Sequence, residues 1–586
     1  MTPSEHLGPA ASSIPLLNTA SAPASIVTAA RPKQNWVLDP FQDALFIIAA
    51  PLLSLGLALL AIQRYGVERG AGMVILAHVI LTVAHHLPTF IRIYGDVDLF
   101  KRFKWSFVLG PVIPLLFSIG VLGYLNYHHY PVEYFLYLYI FLTLWDPWHF
   151  LRQHFGFMRI YDRHNAAPHA LASNMDWWIC TLWFLHIMVA SVDWIPGLLE
   201  DMYRNAHIPA IMWLSASAID SAQAFTWWAA VLMTLAYVGY LLWCVQQRYY
   251  VSWAKIALLV ITFGVMYLTY TPNNLILQLA PGWGFKVGFA SVGIVHMTQY
   301  LAIVWRYDQR IAQQGRAREG WFAWLHARRT RAGIMLAAAI YVLLCVSYGN
   351  VVTTARDNRW LMSMMLAIGF ISTSMHYYYD GFIWKVRHQQ NRAALNMESG
   401  DGALGATATP VSSWWSAASE MTAGRMLSRQ LLYFGIPLGI LTLGALSVLQ
   451  GDKSSYVQHM NQAQQLSQQG KASAAAEAAR HAYARMQAEL PFVAKLAELK
   501  PSSSHEAELA FLLYNESLYE NVVMPQLAGM QPTQAQMQQH HHHVAQASEL
   551  LMSAVYRGGD VAHPGHEALT SDQAAAVALS WQHQVQ

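Results

Sequence analysis

Residues 145–164 read WDPWHFLRQHFGFMRIYDRH and stand at the end of an apolar, aromatic run. The stretch holds His149, His154 and His164 among arginines and aspartates, directly after residues that suit a membrane interior. Ionisable groups at membrane depth are costly, so by default they indicate a functional site. The interpretation of the whole chain depends on whether other apolar segments end in the same way.

Three other apolar segments do. The first contains His85 and His86, the second contains His296 and the third contains His376. Each places imidazole inside or just below the hydrocarbon, and then Tyr, Arg or Asp nearer to the water. If the four segments converge, their histidines form one site.

The composition indicates a polytopic membrane protein. Of 586 residues, 55% are hydrophobic and only 12% are charged, whereas soluble domains contain about 25% charged residues. Abundant Trp and Tyr suit the belts at membrane interfaces. The net charge of +3 does not indicate a nucleic-acid partner. The three cysteines lie in apolar segments without CxxC spacing and are interpreted as packing residues.

Eleven apolar runs are long enough to cross a bilayer, which takes about 20 residues. The predicted fold is therefore all-α, with a polytopic membrane helix bundle over residues 41–450. The predicted spans are 42–63, 71–93, 104–126, 131–153, 176–194, 223–246, 251–271, 285–305, 332–352, 359–385 and 429–450. Residues 1–40, rich in Ala, Ser and Pro, are predicted to be a disordered cytoplasmic tail.

The loops predict a multi-pass protein of a bacterial-type inner membrane with the N-terminus inside and the C-terminus outside. Lys and Arg concentrate in alternate loops, while the opposite loops hold little more than Arg69, Arg204 and Arg356, and the side rich in Lys and Arg is the cytoplasmic one. In this topology the second, fourth, eighth and tenth spans run in the same direction. Their histidines then fall in the cytoplasmic half of the membrane, where they can share a metal.

The chain changes character after Gln450. Residues 451–586 are polar and rich in Ala and Gln, and residues 463–479 resemble the helix-turn-helix of a tetratricopeptide repeat. We predict a small helical domain, placed by the topology in the periplasm, where it could bind a protein partner. Pro532-Thr533 predicts the start of a later helix that carries four consecutive histidines, 540–543. That tract either binds metal loosely or is a solvated face.

The candidate metal ligands are histidines of the four segments. A non-haem iron site needs several neutral imidazoles, often with carboxylates, on closely packed helices. The candidates are His78, His85, His86, His149, His154, His296 and His376. His78 and His85 are seven residues apart and share a helix face, whereas His86 points about 100° away. The core set is His85, His149 or His154, His296 and His376, with His78 and His86 as further ligands or as groups that support the ligands.

The fourth segment also carries a helix-start signal. Asp146-Pro147 resembles an N-cap followed by proline at the first helical position. We therefore predict that the membrane helix breaks at Asp146 and restarts as an interfacial helix that carries His149 and His154.

Other polar side chains have predicted supporting roles. Asp146 and Asp380 would orient imidazole rings or complete the coordination. Gln299 would hold a ligand ring or a polar group of the substrate, and Tyr300 and Tyr377 would donate hydrogen bonds to an oxygen species during catalysis. Arginines below the histidines are predicted to face anionic headgroups or an anionic substrate: Arg92, Arg152, Arg159, Arg306 and Arg387.

The remaining histidines have simpler interpretations. His186, alone in its span, is predicted to be hydrogen-bonded to a neighbour. His128 and His129 lie in a loop on the opposite side. Solvent exposure is predicted for His164, His169, His326 and His388.

The histidine placement resembles integral-membrane, histidine-rich non-haem iron enzymes, namely the desaturase/hydroxylase class and the Brp/Blh-type carotene-cleaving oxygenases. The chain lacks the HxxxH and HxxHH boxes of desaturases, and it is longer than the Brp/Blh type. The resemblance implies an iron-dependent membrane oxidoreductase with one or two non-haem iron atoms that activate dioxygen. It further implies a lipid or isoprenoid substrate and an electron donor protein or quinone.

Two other functions stay open. Two of the same histidines could bind haem b axially in a protein that exchanges electrons with quinone. Alternatively, the chain could be a non-enzymatic transporter or a lipid-linked assembly factor whose polar cavity uses His and Arg for an anionic substrate.

Overall fold

The computed structural model of the chain is helical, which confirms the predicted all-α fold. It describes residues 34–191, 194–206, 209–271, 273–313, 324–354, 357–383, 422–449, 454–558, 561–564 and 567–585. Within these ranges the only extended pairing is a single bridge between Val561 and Leu569. Most of the predicted N-terminal tail, together with Arg356, Arg387 and His388, lies outside the described residues.

Helices account for nearly all of the described chain. The first ten are α1 (Pro40–Asp43), α2 (Ala50–Tyr65), α3 (Val67–Ala84), α4 (His86–Gly95), α5 (Val97–Arg102), α6 (Lys104–Leu109), α7 (Val112–Tyr127), α8 (Tyr139–Tyr161), α9 (His169–Ala190) and α10 (Trp194–Ala206). Then follow α11 (Ala216–Gln246), α12 (Trp253–Tyr270), α13 (Asn274–Leu279), α14 (Phe285–Gln313), α15 (Arg331–Thr353), α16 (Arg359–Ile383), α17 (Ala423–Gln430) and α18 (Ile436–Leu449). The C-terminal helices are α19 (Tyr456–Gln468), α20 (Ala472–Leu499), α21 (Ser503–Leu518), α22 (Met524–Leu527), α23 (Gln534–Arg557) and α24 (Ser571–Val585).

Several of these helices indicate a membrane protein. Within the described residues, six helical stretches are long and apolar enough to span a bilayer: Val67–Gly95, Lys104–Tyr127, Ala216–Gln246, Trp253–Tyr270, Phe285–Gln313 and Arg331–Thr353. The number rises to eight if each of two bent helix pairs is one span. The predicted count of eleven is therefore not confirmed. Two of the other predicted segments, α8 and α16, carry polar residues of the candidate site, and α18 has only 14 residues.

The most protected of the six stretches is α14. In its apolar part 67% of the residues are buried, compared with 22% in α11 and in α15. The reason is its position, because α14 packs against α2, α3, α4 and α12. By contrast, α11 exposes Leu232, Leu235 and Leu242, as expected of a face in contact with lipid. Polar side chains in the middle of α14, among them His296, Gln299 and Tyr300, are thus shielded from solvent.

The predicted helix break at Asp146 is wrong. α8 runs without interruption from Tyr139 to Tyr161 and includes Pro147. A proline removes only its own backbone N–H, so a helix held by its neighbours can continue through it. The Asp146 carboxylate does not cap the helix and accepts a hydrogen bond from the Tyr377 hydroxyl instead. An interruption occurs at His85, which separates α3 from α4.

Close helix contact fixes the position of that interruption. Gly349 on α15 lies against the backbone of α3, where a Cβ atom would collide with the carbonyl oxygen of Ile80 and press on Ala84. Only a residue without a side chain permits this approach. The packing of α15 on α3 therefore holds the chain immediately before His85.

The C-terminal helices form two apolar cores. One surrounds Met486, Phe492 and Leu496 of α20 and includes Ile211, from the turn between α10 and α11. The other joins α21, α23 and α24 around Leu551. Charged groups add to the contact with α10, because Arg204 pairs with Glu508 at 2.7 Å. The C-terminal helices thus pack against α10 and against the turn that follows it.

Local signals in this part of the sequence were informative. Gly470, with φ of +74°, forms the turn between α19 and α20, and Thr533 caps α23 through a capping box. The tetratricopeptide interpretation is not supported, because α20 alone has 28 residues whereas a complete two-helix repeat has about 34. The periplasmic location stays a prediction.

Candidate metal centre

The candidate residues come from three helices and one junction. His85 stands between α3 and α4, α8 carries His149, α14 carries His296 and α16 carries His376 and Asp380. On α16 the last two are four residues apart, so their side chains lie on the same face. The candidate centre depends on how these elements meet.

Three imidazoles converge at one buried point. His85, His296 and His376 each offer a ring nitrogen, and these nitrogens lie within 4.8 Å of one another. The ring centroid of His85 is 4.5 Å from that of His376 and 5.2 Å from that of His296. All three residues are at most 2% exposed. We call them the three-histidine group.

A second set of donors shares His376. His149, His376 and Asp380 also place their ligand atoms within 4.8 Å of one another. Oδ2 of Asp380 lies 3.3 Å from Nε2 of His149 and 3.8 Å from Nε2 of His376. The first of these distances lacks the angles of a hydrogen bond. We call this set the carboxylate group.

The inner nitrogens of these rings have no partner. Within the described residues, Nε2 of His85, His86 and His376 and both ring nitrogens of His296 are buried without a hydrogen bond. A buried polar atom left in this state destabilises the fold by about 1–3 kcal/mol, so several together are uncommon. A metal ion bound between the rings would satisfy them at once. The donors present therefore fit a metal.

The opposite nitrogens are anchored. Nδ1 faces a protein oxygen in three of the rings: Thr89 Oγ1 at 3.0 Å from His376, Ser372 Oγ at 3.1 Å from His86, and the Leu81 carbonyl oxygen at 3.2 Å from His85. In metal sites the nitrogen that does not bind metal usually makes such a contact, which fixes the orientation of the ring. Here it leaves Nε2 of each ring for a ligand.

A hydroxyl network links the helices around His376. The Tyr300 hydroxyl donates to Asp380 Oδ1 at 2.6 Å, and the Thr89 Oγ1 atom lies 2.6 Å from the Tyr300 oxygen. Tyr300 is buried and belongs to α14, so this network joins α4, α14 and α16. It orients Asp380 so that its other oxygen faces His149 and His376.

Three predicted ligands lie outside both groups: His86, whose Nδ1 faces Ser372, and the two histidines His154 and His78. His154 follows His149 by five residues, which turns it by about 140° around α8, and its ring meets Phe263 of α12 with 5.1 Å between centroids. His78 packs with its ring against Gly293 and lies 5.5 Å from the Phe289 ring. It faces α14, as His85 does.

Two of the predicted supporting residues, Asp146 and Gln299, contact groups other than the inner imidazole nitrogens. Asp146 is bound by the Tyr377 hydroxyl at 3.0 Å. The Gln299 amide donates to the Ile47 carbonyl at 3.0 Å and accepts from Gln153 at 3.3 Å. Gln299 thus ties α14 to α8 and to the segment before α2.

The arginines predicted to face headgroups have partners inside the protein. Arg92 pairs with Asp96 at 3.0 Å and with Asp308 at 3.6 Å. Arg159 pairs with Asp162 at 3.2 Å and with Asp176 at 2.5 Å. Arg306 donates a hydrogen bond to Gln309 at 2.5 Å, and the Arg152 guanidinium lies 5.2 Å from the centre of the Trp177 ring. Of the four, Arg152 is the exposed one. A role in binding headgroups or substrate stays a prediction.

The other histidines behave as expected with one exception. His186 faces the Thr226 hydroxyl at 3.3 Å, as predicted, while His164 and His169 are exposed. The prediction for His326 is wrong, because its ring is buried 5.0 Å from the ring of Trp305. In the tract 540–543, His540 is buried against the Ser517 hydroxyl at 3.1 Å, so this tract is not uniformly solvated.

Two residues that hold histidine rings, Thr89 and Ser372, were not predicted from the sequence. Thr89 follows His85 by four residues, and Ser372 precedes His376 by four. A hydroxyl one helical turn from a candidate ligand was the available signal. Threonine and serine are common in membrane helices, however, so this spacing alone does not single them out.

No protein-family model, curated protein or solved structure matches the chain. The geometry of the three-histidine and carboxylate groups is the basis on which a function is proposed.

Proposed function

We propose that this chain is a membrane-embedded oxidoreductase of the oxygenase, desaturase or hydroxylase type, with non-haem iron held by His85, His149, His296, His376 and Asp380. The observation that carries the proposal is the convergence of buried imidazole nitrogens without hydrogen bonds, with the His85 and His376 rings each held through Nδ1. Two overlapping donor groups leave room for one or two iron atoms.

The donor types favour iron. Neutral imidazoles with a carboxylate suit divalent transition metals, and two histidines with one carboxylate are the donor set typical of non-haem iron oxygenases. Haem b is less well supported. A haem needs two axial ligands that face each other across an open plane, whereas here several rings crowd one point beside Thr89 and Tyr300.

The side chains around the donors have defined tasks in this proposal. Iron, when bound, would supply the activation of dioxygen. Thr89 keeps the His376 ring in place, and Tyr300 keeps Asp380 in place while offering its hydroxyl proton to that carboxylate. Burial of the histidines excludes water, which strengthens every charge interaction inside the site.

The proposed setting is a bacterial-type inner membrane with eleven spans, the N-terminus inside and the C-terminal helices in the periplasm. The unequal distribution of Lys and Arg between loops supports this orientation. A lipid or isoprenoid substrate would reach the site from the bilayer, an electron donor protein or quinone would supply electrons, and the docked C-terminal helices would offer a surface to a periplasmic partner.

The test is the metal content and absorbance spectrum of the full chain purified in detergent. We expect iron without the intense Soret band of haem, and its loss in His296→Ala and His376→Ala. His186→Ala is the matched control, because this membrane histidine lies outside both groups, and it should keep the iron. A Soret band would contradict the non-haem proposal in favour of electron transfer, and the absence of metal in every preparation would favour a transporter or assembly factor.

A further inference from the structure

Within the described part of the chain, His149 is the most exposed member of the histidine cluster. His85, His86, His296 and His376 are at most 2% exposed, whereas the His149 side chain is 15% exposed. Near His149, Asp146 and Tyr377 are partly exposed, and Trp145, which directly precedes Asp146, is 48% exposed. The opening towards the centre therefore lies between α8 and α16.

A carboxylate without a basic partner stands in this opening. Asp146 lies on the same face of α8 as His149, one turn before it. Its hydrogen-bond partner is the Tyr377 hydroxyl, and within the described residues no Lys, Arg or His side chain forms an ion pair with it. Other carboxylates of the helices do face a basic group: Asp96 and Asp308 face Arg92, Asp176 faces Lys255, and Asp380 faces His149.

A carboxylate at membrane depth needs a partner, and among the described residues Asp146 has the Tyr377 hydroxyl but no cation. In surroundings of low polarity, a hydrogen bond to a charged acceptor is stronger than one between neutral groups. An anionic head group would be repelled, whereas a group with an O–H or N–H bond would be bound. The aromatic rings of Trp145 and Tyr377 offer apolar contact to the chain attached to that group.

We propose that Asp146 binds the polar head of an amphiphilic substrate, and that this head is a hydrogen-bond donor, either a hydroxyl or an amine. This inference rests on the proposed function and specifies the substrate class of the same site. Three residues along α8 correspond to a rise of about 4.5 Å, which a few carbon–carbon bonds span. A substrate held by Asp146 thus presents the carbons next to its head group to His149 and the donor groups behind it.

The experiment uses photoreactive hexadecyl probes with a hydroxyl, an amine or a carboxylate head, added to the full chain in detergent and mapped by peptide mass spectrometry. We expect the hydroxyl or amine probe to label peptides from α8 and α16, and the carboxylate probe to leave them unlabelled. In Asp146→Asn this labelling should fall about tenfold, the effect of losing a hydrogen bond to a charged group. Asp201→Asn, which removes an exposed carboxylate on α10, is the matched control and should label like the wild type.

The probe that loses more labelling in Asp146→Asn identifies the head group as an amine or a hydroxyl. The two can be told apart because an ionised carboxylate binds an amine more strongly than it binds a hydroxyl. Competition in the wild type gives a test that no folding defect can mimic: unlabelled hexadecylamine or hexadecanol should suppress the labelling, and palmitate should not. Iron is measured in each sample. Equal labelling by the carboxylate probe, or unchanged labelling in Asp146→Asn with iron retained, would overturn the inference, whereas a wild type without iron would overturn the proposed function alone.

Discussion

Two buried polar clusters in the membrane part differ in how their polar atoms are satisfied. In the first, which we call the ion-pair network, Lys255 contacts Asp162 at 2.9 Å and Asp176 at 3.1 Å, and Arg159 contacts the same two carboxylates. The Tyr237 hydroxyl adds a hydrogen bond to Asp176 at 2.8 Å. In the second, around His376, the inner ring nitrogens form no hydrogen bond within the described residues.

We assign a structural role to the ion-pair network and propose a functional role for the histidine cluster. The ion-pair network contains two acids and two bases, so its charges balance and it needs nothing from outside the chain. The histidine cluster has inner nitrogens without hydrogen bonds, which in our proposal a metal ion would satisfy. Buried polar groups alone therefore do not identify a site. Unsatisfied groups that converge on one point do.

The largest effect is expected from breaking the ion-pair network. Lys255→Met leaves Asp162 and Asp176 with one cation between them, and removal of one partner from a buried ion pair destabilises a protein by about 3–5 kcal/mol. Thermal unfolding in detergent should show a clearly lower midpoint, while the iron per folded molecule stays at the wild-type level. A lower iron content in the folded fraction would show that the two clusters are not independent.

In the histidine cluster we expect a smaller loss of stability but a specific loss of metal affinity. His85→Ala should weaken iron binding by more than about 100-fold, the upper range for residues that merely support ligands. The control is His154→Ala, which removes another buried imidazole without hydrogen bonds, outside both donor groups. Iron affinity from competition with a chelator measures the difference. Equal losses of iron affinity in both variants would mean that iron binding depends on the burial of an imidazole and not on its place in the two donor groups.

The smallest effect should come from a residue that orients a ligand. Thr89→Val keeps the shape of the side chain but removes the hydroxyl that faces His376 and Tyr300. Loss of such a supporting contact should weaken iron binding by about tenfold with little change in unfolding temperature. Thr226→Val, at the hydroxyl that faces His186, is the matched control and should bind iron like the wild type. An unchanged affinity in Thr89→Val would remove this residue from the site.

Much of the fold follows from the sequence. Apolar runs predicted helices, and each predicted span contains helix in the described residues, because the backbone must satisfy its own hydrogen bonds where water is scarce. The signals for helix boundaries inside the membrane were less reliable. Asp146-Pro147 has the pattern of a helix start, but packing keeps α8 continuous. The interruption at His85 was not predicted, although Pro88 follows three residues later and has no N–H to bond the Ala84 carbonyl.

The sequence identified the candidate histidines, but it did not identify which of them lie together. A common orientation of spans predicted that these histidines, with His149 and His154 among them, lie in the cytoplasmic half of the membrane. The choice between His149 and His154 depends on which face of α8 meets α14 and α16, and this is set by packing across the whole bundle. The ion-pair network was missed for the same reason, because Asp162, Asp176 and Lys255 are distant in sequence and each alone resembles an ordinary loop charge.

The central claim is that imidazoles from separate helices hold one metal centre, and X-ray absorption at the iron edge of the iron-loaded protein tests it most directly. The structure predicts nitrogen and oxygen neighbours at about 2.0–2.2 Å, with the multiple-scattering pattern of at least three imidazole rings, and the loss of ring contributions in His85→Ala. A first shell of sulfur, of oxygen alone, or with the four equatorial nitrogens of a porphyrin would contradict it.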